Sequence, residues 1–366
     1  MQNSNASAPA GNSDIERSKT SEMDFGLQLL HALSHGHSFN VVLSPASIAI
    51  ALGMLRAGAN REIKDIMDRN FGLDEETPAR HATYQTMISI VSGIWLPCGT
   101  ELKSEYRTLI ERCYKSELGN LDFVQDPKGA AQHINAFVST ATKEQINQVV
   151  GLGDVIGMNA VLVNALVFKA TWEDTFDVEK TRNRTFHAVT GDIGVPTMHA
   201  DGNCFPYAEV NGTKTLVLPL KGGLKVLFVL PRKGEGICSL LERLPAEFKL
   251  LTRSLSTDNN VDVAIPKFRL EGEFEIDRIE ALSGARFSEM CNVDITLSKA
   301  IHKAVFEIDE EGARGAAVTT VFALSINESF VADRPFFAAV MDTDLTTLLF
   351  ASAVQNPAVQ AASDLV

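Results

Sequence analysis

The stretch MNAVLVNALVFKATW, residues 158–172, constrains the fold more than any other part of the sequence. It is rich in aliphatic and β-branched residues, and Lys169 is its one charged side chain. A strand with one wet face alternates apolar and polar residues, whereas an unbroken apolar run is typical of a strand covered on both faces. We therefore expect a sheet buried between two layers of structure.

The first half of the chain is dominated by helical patterns. Ser44 and Pro45 suit a helix cap and first turn, and the run that follows to Gly58 is apolar over most of its circumference. Such a helix should be buried within the protein rather than lie on its surface. Further helices are predicted over residues 24–34, 60–70, 82–93, 104–118 and 126–146.

The second half consists mainly of strand-like segments. Besides 158–172, these cover residues 185–189, 195–200, 214–220, 224–231, 261–272, 303–310, 336–341 and 346–354. Helices come first, strands follow, and no regular βαβ alternation is present, which predicts an α+β fold. We expect one domain over residues 22–357, a disordered Ser/Asn/Ala/Gly-rich segment at 1–21 and a C-terminal tail at 358–366.

Charge and hydropathy exclude several classes of partner. The chain has a formal net charge of -13, spread along its length, which speaks against binding to nucleic acid or to an anionic membrane surface. No run of eighteen apolar residues occurs, so no transmembrane helix is expected. The polar N-terminus lacks the features of a secretion signal, and the five scattered cysteines suit a reducing compartment. These observations predict a cytoplasmic location, with unconventional release still open.

Signatures of catalysis are absent from the sequence. There is no G-x-S-x-G, H-E-x-x-H or Walker A pattern. The run GLGDVIG at 151–157 has the wrong glycine spacing for a dinucleotide-binding loop, and none of the eight histidines has a second ligand at metal-binding spacing. We therefore expect no enzyme activity, no metal and no cofactor.

Six long motifs, in order along the chain, resemble the signatures of the serpins, the serine protease inhibitor superfamily. They are NVVLSPASIAIALGMLRAGA, VNALVFKATWEDTF, VLPLKGGLKVLFVLP, VDVAIPKF, IHKAVFEIDEEG and ADRPFFAAVMDTDLTTLLFASAVQNP. The resemblance extends over residues from about 24 to 357. The resemblance implies the serpin fold, with a helix-rich N-terminal half, a large central mixed sheet, two further sheets and an exposed reactive-centre loop at about 310–332.

The resemblance also implies a mechanism. A protease cleaves the loop as a substrate, and the N-terminal part of the loop then inserts into the central sheet and traps the acylated protease. The hinge of the loop would be Glu310, Glu311, Gly312, Ala313, Arg314, Gly315, Ala316, Ala317, Val318 and Thr319. Side chains of a strand point alternately to opposite faces. The positions expected to turn inward are small and uncharged: Ala313, Gly315, Ala317, Thr319 and Val321.

The cleaved bond has two candidates. Counting from Gly312 gives Ile326–Asn327, which we favour because it leaves the longer inserting segment, and counting back from the Asp-Arg-Pro-Phe anchor gives Leu324–Ser325. Both bonds follow an apolar residue, so the expected target is a chymotrypsin-like or elastase-like serine protease, with a cysteine protease as a second class. No partner other than a protease is implied, and the protein is expected to be a monomer.

Other positions carry over from the family residue by residue. Ser44, Ser47, Asn164 and His302 match the polar cluster called the shutter, beneath the central sheet, and Trp172 matches the tryptophan of the breach at its top. Each could equally serve packing or core hydrogen bonding alone. Arg314 and Gly315 depart from the pattern common among inhibitors, and Gly315 weakens β propensity. A non-inhibitory serpin with a binding, storage or chaperone role is therefore the alternative.

Overall fold

The computed structural model describes residues 11–174, 176–258, 260–293, 295–311 and 328–359. Seven α-helices lie in these ranges, five of them before residue 110. Their bounds are α1 Gly11–Ser34, α2 Pro45–Ala57, α3 Arg61–Phe71, α4 Thr77–Met87, α5 Ser104–Leu109, α6 Pro127–Ala141 and α7 Ile237–Arg253. None of the helices in the described ranges is long and apolar enough to cross a membrane.

Fifteen strands in the described ranges form three sheets. They are β1 Val41–Leu43, β2 Ile90–Pro97, β3 Glu117–Leu121, β4 Val161–Lys169, β5 Arg182–Ala188, β6 Gly191–Asn203, β7 Tyr207–Val210, β8 Thr213–Pro219, β9 Lys225–Leu230, β10 Val261–Pro266, β11 Phe268–Glu275, β12 Lys299–Ile308, β13 Glu328–Val331, β14 Phe336–Met341 and β15 Leu348–Val354. The five-stranded central sheet has the order β11-β12-β4-β2-β3. The other orders are β1-β15-β14-β9-β8-β7 and β13-β10-β6-β5. Helices together with three sheets, of which the six-stranded one is antiparallel and the other two are mixed, confirm the α+β prediction.

The central sheet is buried on both faces, as the apolar run at 158–172 predicts. On one face, Val161, Val163 and Ala165 of β4 pack with apolar residues of α6. On the other face, Leu162 and Leu166 join the main core of the protein. The side chains of a strand alternate between its two faces, so each face of β4 supplies its own apolar surface.

Helix α2 is buried along almost its whole length, which confirms the sequence prediction. Every residue from Pro45 to Arg56 is buried. The Ser44 hydroxyl accepts a hydrogen bond from the backbone N–H of Ser47 and caps the helix, and Pro45 occupies the first turn. This helix lies against β4 and β15, so it supports the central sheet from below.

Some local predictions differ from the structure. The helix expected at 82–93 ends at Met87, and strand β2 begins at Ile90 because its buried, apolar side chains pair with β4. Helix α7 was not predicted, since Pro245 lies inside it and interrupts the helical pattern. Helix α1 begins at Gly11. The segment 1–21, the domain 22–357 and the tail 358–366 stay predictions. Residues 1–10 and 360–366 lie outside the described ranges.

Candidate functional site

Strand β4, in the middle of the central sheet, and its neighbour β12 are parallel. Their register runs without interruption from Val161 opposite Lys299 to Lys169 opposite Glu307. On their outer edges, β4 pairs antiparallel with β2, and β12 pairs antiparallel with β11. We call the line between β4 and β12 the seam. An additional strand could enter the sheet there only if the seam parts.

Beneath the seam, the structure brings together the four residues Ser44, Ser47, Asn164 and His302. Asn164 and His302 are register partners across the seam, and the His302 Nδ1 lies 2.8 Å from the Asn164 Oδ1. The Ser44 backbone N–H donates to the His302 Nε2 at 3.1 Å, and the Ser47 hydroxyl donates to the Asn164 Oδ1. All four are fully buried. The cluster therefore joins β4 and β12 to each other and to α2.

Ser92 of β2 is a further member of this cluster, and sequence reasoning did not find it. The Asn164 Nδ2 donates to the Ser92 hydroxyl at 2.9 Å. The only signal in the sequence was a serine in an otherwise apolar strand. With Ser92 included, the side-chain amide of Asn164 is hydrogen-bonded to neighbours on β2, β12 and α2. Both its oxygen and its nitrogen therefore have partners, as is usual for a buried amide.

The imidazole of His302 is held in its neutral form. Its Nε2 accepts from a backbone N–H, so the ring proton is on Nδ1 and is donated to Asn164. Complete burial lowers the pKa of His302 to about 3. Protonation would place a second donor opposite the Ser44 N–H and a charge in the core. The cluster is therefore intact only while His302 is uncharged.

This predicts an acid-sensitive stability that depends on one residue. Between pH 6.5 and about 3, His302 binds a proton in the unfolded chain but not in the folded protein. The free energy of unfolding therefore falls as the pH falls. The loss is about 1.4 kcal/mol per pH unit in this window. From pH 7 to pH 5, denaturant titration should show the native protein losing about 2 kcal/mol more than a His302→Gln variant. Equal losses in the two proteins would contradict this assignment.

At the upper end of the seam, Trp172 joins the chain after β4 to the chain after β12. Its side chain is buried, and the indole N–H donates to the Asp309 carbonyl at 2.7 Å. Its backbone N–H donates to the Glu311 carbonyl at 3.3 Å. The ring also packs edge-on against Phe176 at 5.5 Å. Trp172 thus lies where a strand entering the seam from the loop would begin.

Glu310, the first residue of the predicted hinge, has a partner that the sequence could not reveal. Its buried carboxylate lies 2.5 Å from the Lys267 ammonium and accepts a hydrogen bond from the Thr181 hydroxyl at 2.7 Å. Burial alone would raise the pKa of Glu310, but these two partners outweigh it and lower the pKa. Lys267 links β10 to β11, so Glu310 is bonded on the β11 side of the seam.

A second charged group at the top of the seam was also missed. The Lys169 ammonium lies 3.0 Å from Glu307, 2.8 Å from Asp309 and 2.9 Å from Glu311. Burial alone would lower the pKa of Lys169, but the three carboxylates outweigh it and raise the pKa. The sequence did contain a signal for this group, because acids occur at every second position, 307, 309 and 311. Every second residue of a strand lies on the same face, so these carboxylates could have been expected to lie together.

The remaining predicted residues of the loop lie outside the described ranges. These are hinge residues 312–319, the inward position Val321, and both candidate bonds, Ile326–Asn327 and Leu324–Ser325. The described chain stops at Glu311 and resumes at Glu328 in β13, which pairs in parallel with β10. The two ends of the loop therefore attach to different sheets.

One group in the described ranges has ligand atoms close enough for a metal ion: His199, Asp201 and Asp262, whose atoms lie within 4.8 Å of one another. The His199 Nδ1 faces Asp201 at 3.2 Å, and its Nε2 faces Asp262 at 2.6 Å. The two carboxylates thus contact different ring nitrogens, and Lys180 pairs with Asp201 at 2.7 Å. The group is a polar network whose members contact one another, and we assign no metal to it.

Comparison with known proteins assigns the chain to a family. A family model described as serpin (serine protease inhibitor) matches residues 20–357. The chain belongs to the serpin family. A serpin-like protein of Thermococcus kodakarensis is 31% identical over 359 residues, covering 88% of this chain and 82% of that protein. Serpin-Z7 of Hordeum vulgare is 28% identical, covering 94% of this chain and 98% of its own length.

Solved serpin structures share the fold. Arabidopsis AtSerpin1, solved in a native stressed conformation, superposes with a TM-score of 0.84 at 22% sequence identity, covering 97% of this chain and 100% of that one. The family assignment and the serpin fold, both predicted from sequence motifs, are confirmed. Serpins are in general protease inhibitors and not enzymes.

Proposed function

We propose that this serpin inhibits a serine protease as a suicide substrate, by inserting its cleaved loop into the seam. The observation that carries the proposal is that β4 and β12 are adjacent parallel strands, and that the loop follows directly from the end of β12. A segment that leaves β12 and turns back at the hinge runs antiparallel to both strands. Insertion would therefore replace one parallel pairing with two antiparallel ones.

The energy of such an insertion has a clear direction. The parallel ladder of the seam is slightly less stable per residue than an antiparallel ladder. A sixth strand would add backbone hydrogen bonds on both of its edges, each contributing roughly 1 kcal/mol. An uncut loop is held at β12 and β13, in different sheets, so it cannot travel down the seam without losing one attachment. Cleavage removes that restraint.

The polar cluster of Ser44, Ser47, Asn164 and His302 is proposed to act as a gate. Neighbouring strands lie about 4.8 Å apart, so an inserted strand would roughly double the separation of β4 and β12. The 2.8 Å contact of Asn164 with His302 would then be broken. The same bonds that stabilise the intact sheet must therefore open before the loop can enter.

The residue before the cleaved bond is proposed to select the protease. Ile326 is favoured and Leu324 is the second candidate, and both are apolar. An apolar side chain fits the pocket of a chymotrypsin-like or elastase-like protease and lacks the charge that a trypsin-like pocket binds. A cysteine protease with an apolar pocket is the second target class.

A non-inhibitory serpin remains the second candidate function, and the sequence of the hinge favours it specifically. Gly315 lowers the β propensity of the inserting segment, and Arg314 departs from the residues common among inhibitors. If insertion is slower than hydrolysis of the acyl-enzyme, the loop is cleaved and the protease is released. The protein would then be a protease substrate whose role depends on binding.

Incubation with chymotrypsin and elastase separates the two functions. We expect a covalent complex that survives SDS and has the combined mass of the protease and of the serpin cut before residue 327 or 325. The same protease with its catalytic serine replaced by alanine should give no such complex, because no acyl bond can form. Cleavage in the loop with quantitative release of active protease would instead favour the non-inhibitory function.

The location and assembly state are further proposals. The scattered cysteines support a cytoplasmic location, and they are thiols in the structure. Cell fractionation tests the location. We also propose that the protein is a monomer, and sedimentation at two concentrations tests it.

A further inference from the structure

The contacts of Lys169 differ in one respect from the other ion pairs around the hinge. Lys169 is the last residue of β4, whereas Glu307 belongs to β12, and Asp309 and Glu311 follow β12. All three ion pairs therefore cross the seam. By contrast, the Glu310–Lys267 pair and the Glu307–Arg269 pair join β12 to the neighbouring β11 side. Those pairs can persist when the seam parts, and the pairs of Lys169 with its three acids cannot.

The backbone continues the same connection above the end of β12. The N–H of Ala170 donates to the Glu307 carbonyl at 3.0 Å, and the N–H of Trp172 donates to the Glu311 carbonyl at 3.3 Å. The side chain of Asp309 also accepts from the Glu311 N–H at 2.8 Å, which fixes the turn of the chain there. The hinge is therefore tied to the end of β4 as far as Glu311, the last described residue before the loop.

We propose that Lys169 is a positioning residue whose three ion pairs, here called the ionic latch, hold the hinge closed and set how often a cleaved loop traps its protease. The latch consists of Lys169, Glu307, Asp309 and Glu311. This proposal rests on the proposed function, because it concerns the competition between insertion and release of the protease. It adds a residue that controls the outcome of that competition.

Distance and charge give the reason. When a strand enters the seam, the separation of Lys169 and Glu307 grows by one strand spacing, about 4.8 Å, which breaks a contact of 3.0 Å. The three carboxylates crowd one ammonium, so without Lys169 they would repel one another at the top of the sheet. The Lys169 side chain is 38% exposed. Salt should therefore weaken the latch, as it does other partly exposed ion pairs.

Annealing of a peptide measures opening of the seam without any protease. The probe is the synthetic peptide GARGAAVTTVFALSI, residues 312–326, added to the intact full-length protein, with complex formation followed by native gel and by thermal stabilisation. We expect Lys169→Met to anneal the peptide about tenfold faster than the native protein, because opening no longer breaks the latch. Raising the salt to about 0.5 M should accelerate the native protein but not the variant.

Lys103→Met is the matched control. Lys103 forms a 3.1 Å ion pair with Glu289 and is 34% exposed, close to the exposure of Lys169, but it lies outside the central sheet. It should anneal at the native rate. Should Lys169→Met fail to fold, Glu311→Gln removes one pair at a side chain that is 74% exposed, and should accelerate annealing about twofold.

The stoichiometry of inhibition completes the test. With a trapped protease, Lys169→Met should need fewer serpin molecules per protease inhibited than the native protein, at an unchanged rate of loop cleavage. An unchanged annealing rate, an unchanged salt dependence or no annealing in any protein would overturn the latch. If the annealing results hold and no protease is trapped, the role of the latch in holding the hinge closed stands, and the inhibitory function fails together with any effect of the latch on trapping. If proteases are trapped but Lys169→Met anneals the peptide at the native rate, the inhibitory function stands and the latch is wrong.

Discussion

Cleavage of the loop is expected to raise the melting temperature of the protein by roughly 10–15 °C. A sixth strand as long as its ten-residue neighbour β12, at roughly 1 kcal/mol per hydrogen-bonded residue, adds on the order of 10 kcal/mol. The unfolding entropy of a 366-residue chain, about 2.1 cal/mol/K per residue, converts that free energy into a shift of this size. Calorimetry before and after limited proteolysis, with the cut located by mass spectrometry, measures it.

The reason for this shift is specific to insertion. A nick in an exposed segment that stays in solvent relieves a restraint but adds no contact, so it should leave the melting temperature unchanged or lower it. Equal melting temperatures of the cut and uncut protein would therefore favour the non-inhibitory alternative. They would leave the family assignment intact, since that depends on the whole chain from residue 20 to 357.

Replacing Ala313 with arginine is expected to turn the inhibitor into a substrate. Ala313 is on the set of loop positions predicted to turn inward, where an unpaired guanidinium would cost several kcal/mol to bury. Insertion would slow, and the stoichiometry of inhibition should rise at least about tenfold, with loss of the SDS-stable complex. The uncut variant should melt at the native temperature, because the change lies in the uninserted loop.

Ala316→Arg is the matched control for this prediction. It adds the same side chain three residues further on, at a position predicted to face outward, beside the arginine already present at position 314. Alternation along a strand predicts that this variant still forms the complex. If both variants trap the protease equally well, the period-two argument is wrong. If neither does, charge in the loop matters irrespective of the face.

Much of the fold followed from local patterns. The apolar runs of α2 and β4 predicted elements that are buried on all sides, and residues 45–56 of α2 and 161–166 of β4 are buried. Helix α7 was missed because Pro245 disguises its periodicity, and the helix predicted to 93 is overridden by pairing of β2 with β4, some seventy residues away. Such pairing is a tertiary effect, which propensity along a short window does not contain.

The site was predictable only in part. The resemblance to serpins selected Ser44 and His302, which are 258 residues apart and lie 3.1 Å from each other through the Ser44 backbone. It could not supply Lys267 as the partner of Glu310 or show that Lys169 gathers three acids. Those pairs depend on which strands become neighbours and on side-chain reach, so they emerge from the three-dimensional register and not from spacing along the chain.

A crystal structure of the loop-cleaved protein tests the central claim most directly. We expect a six-stranded central sheet in which residues from Gly312 onward lie between β4 and β12, antiparallel to both, with Asn164 and His302 no longer in contact. A cleaved protein that keeps the register of Val161 with Lys299 and of Lys169 with Glu307, with the cut segment in solvent, would contradict it.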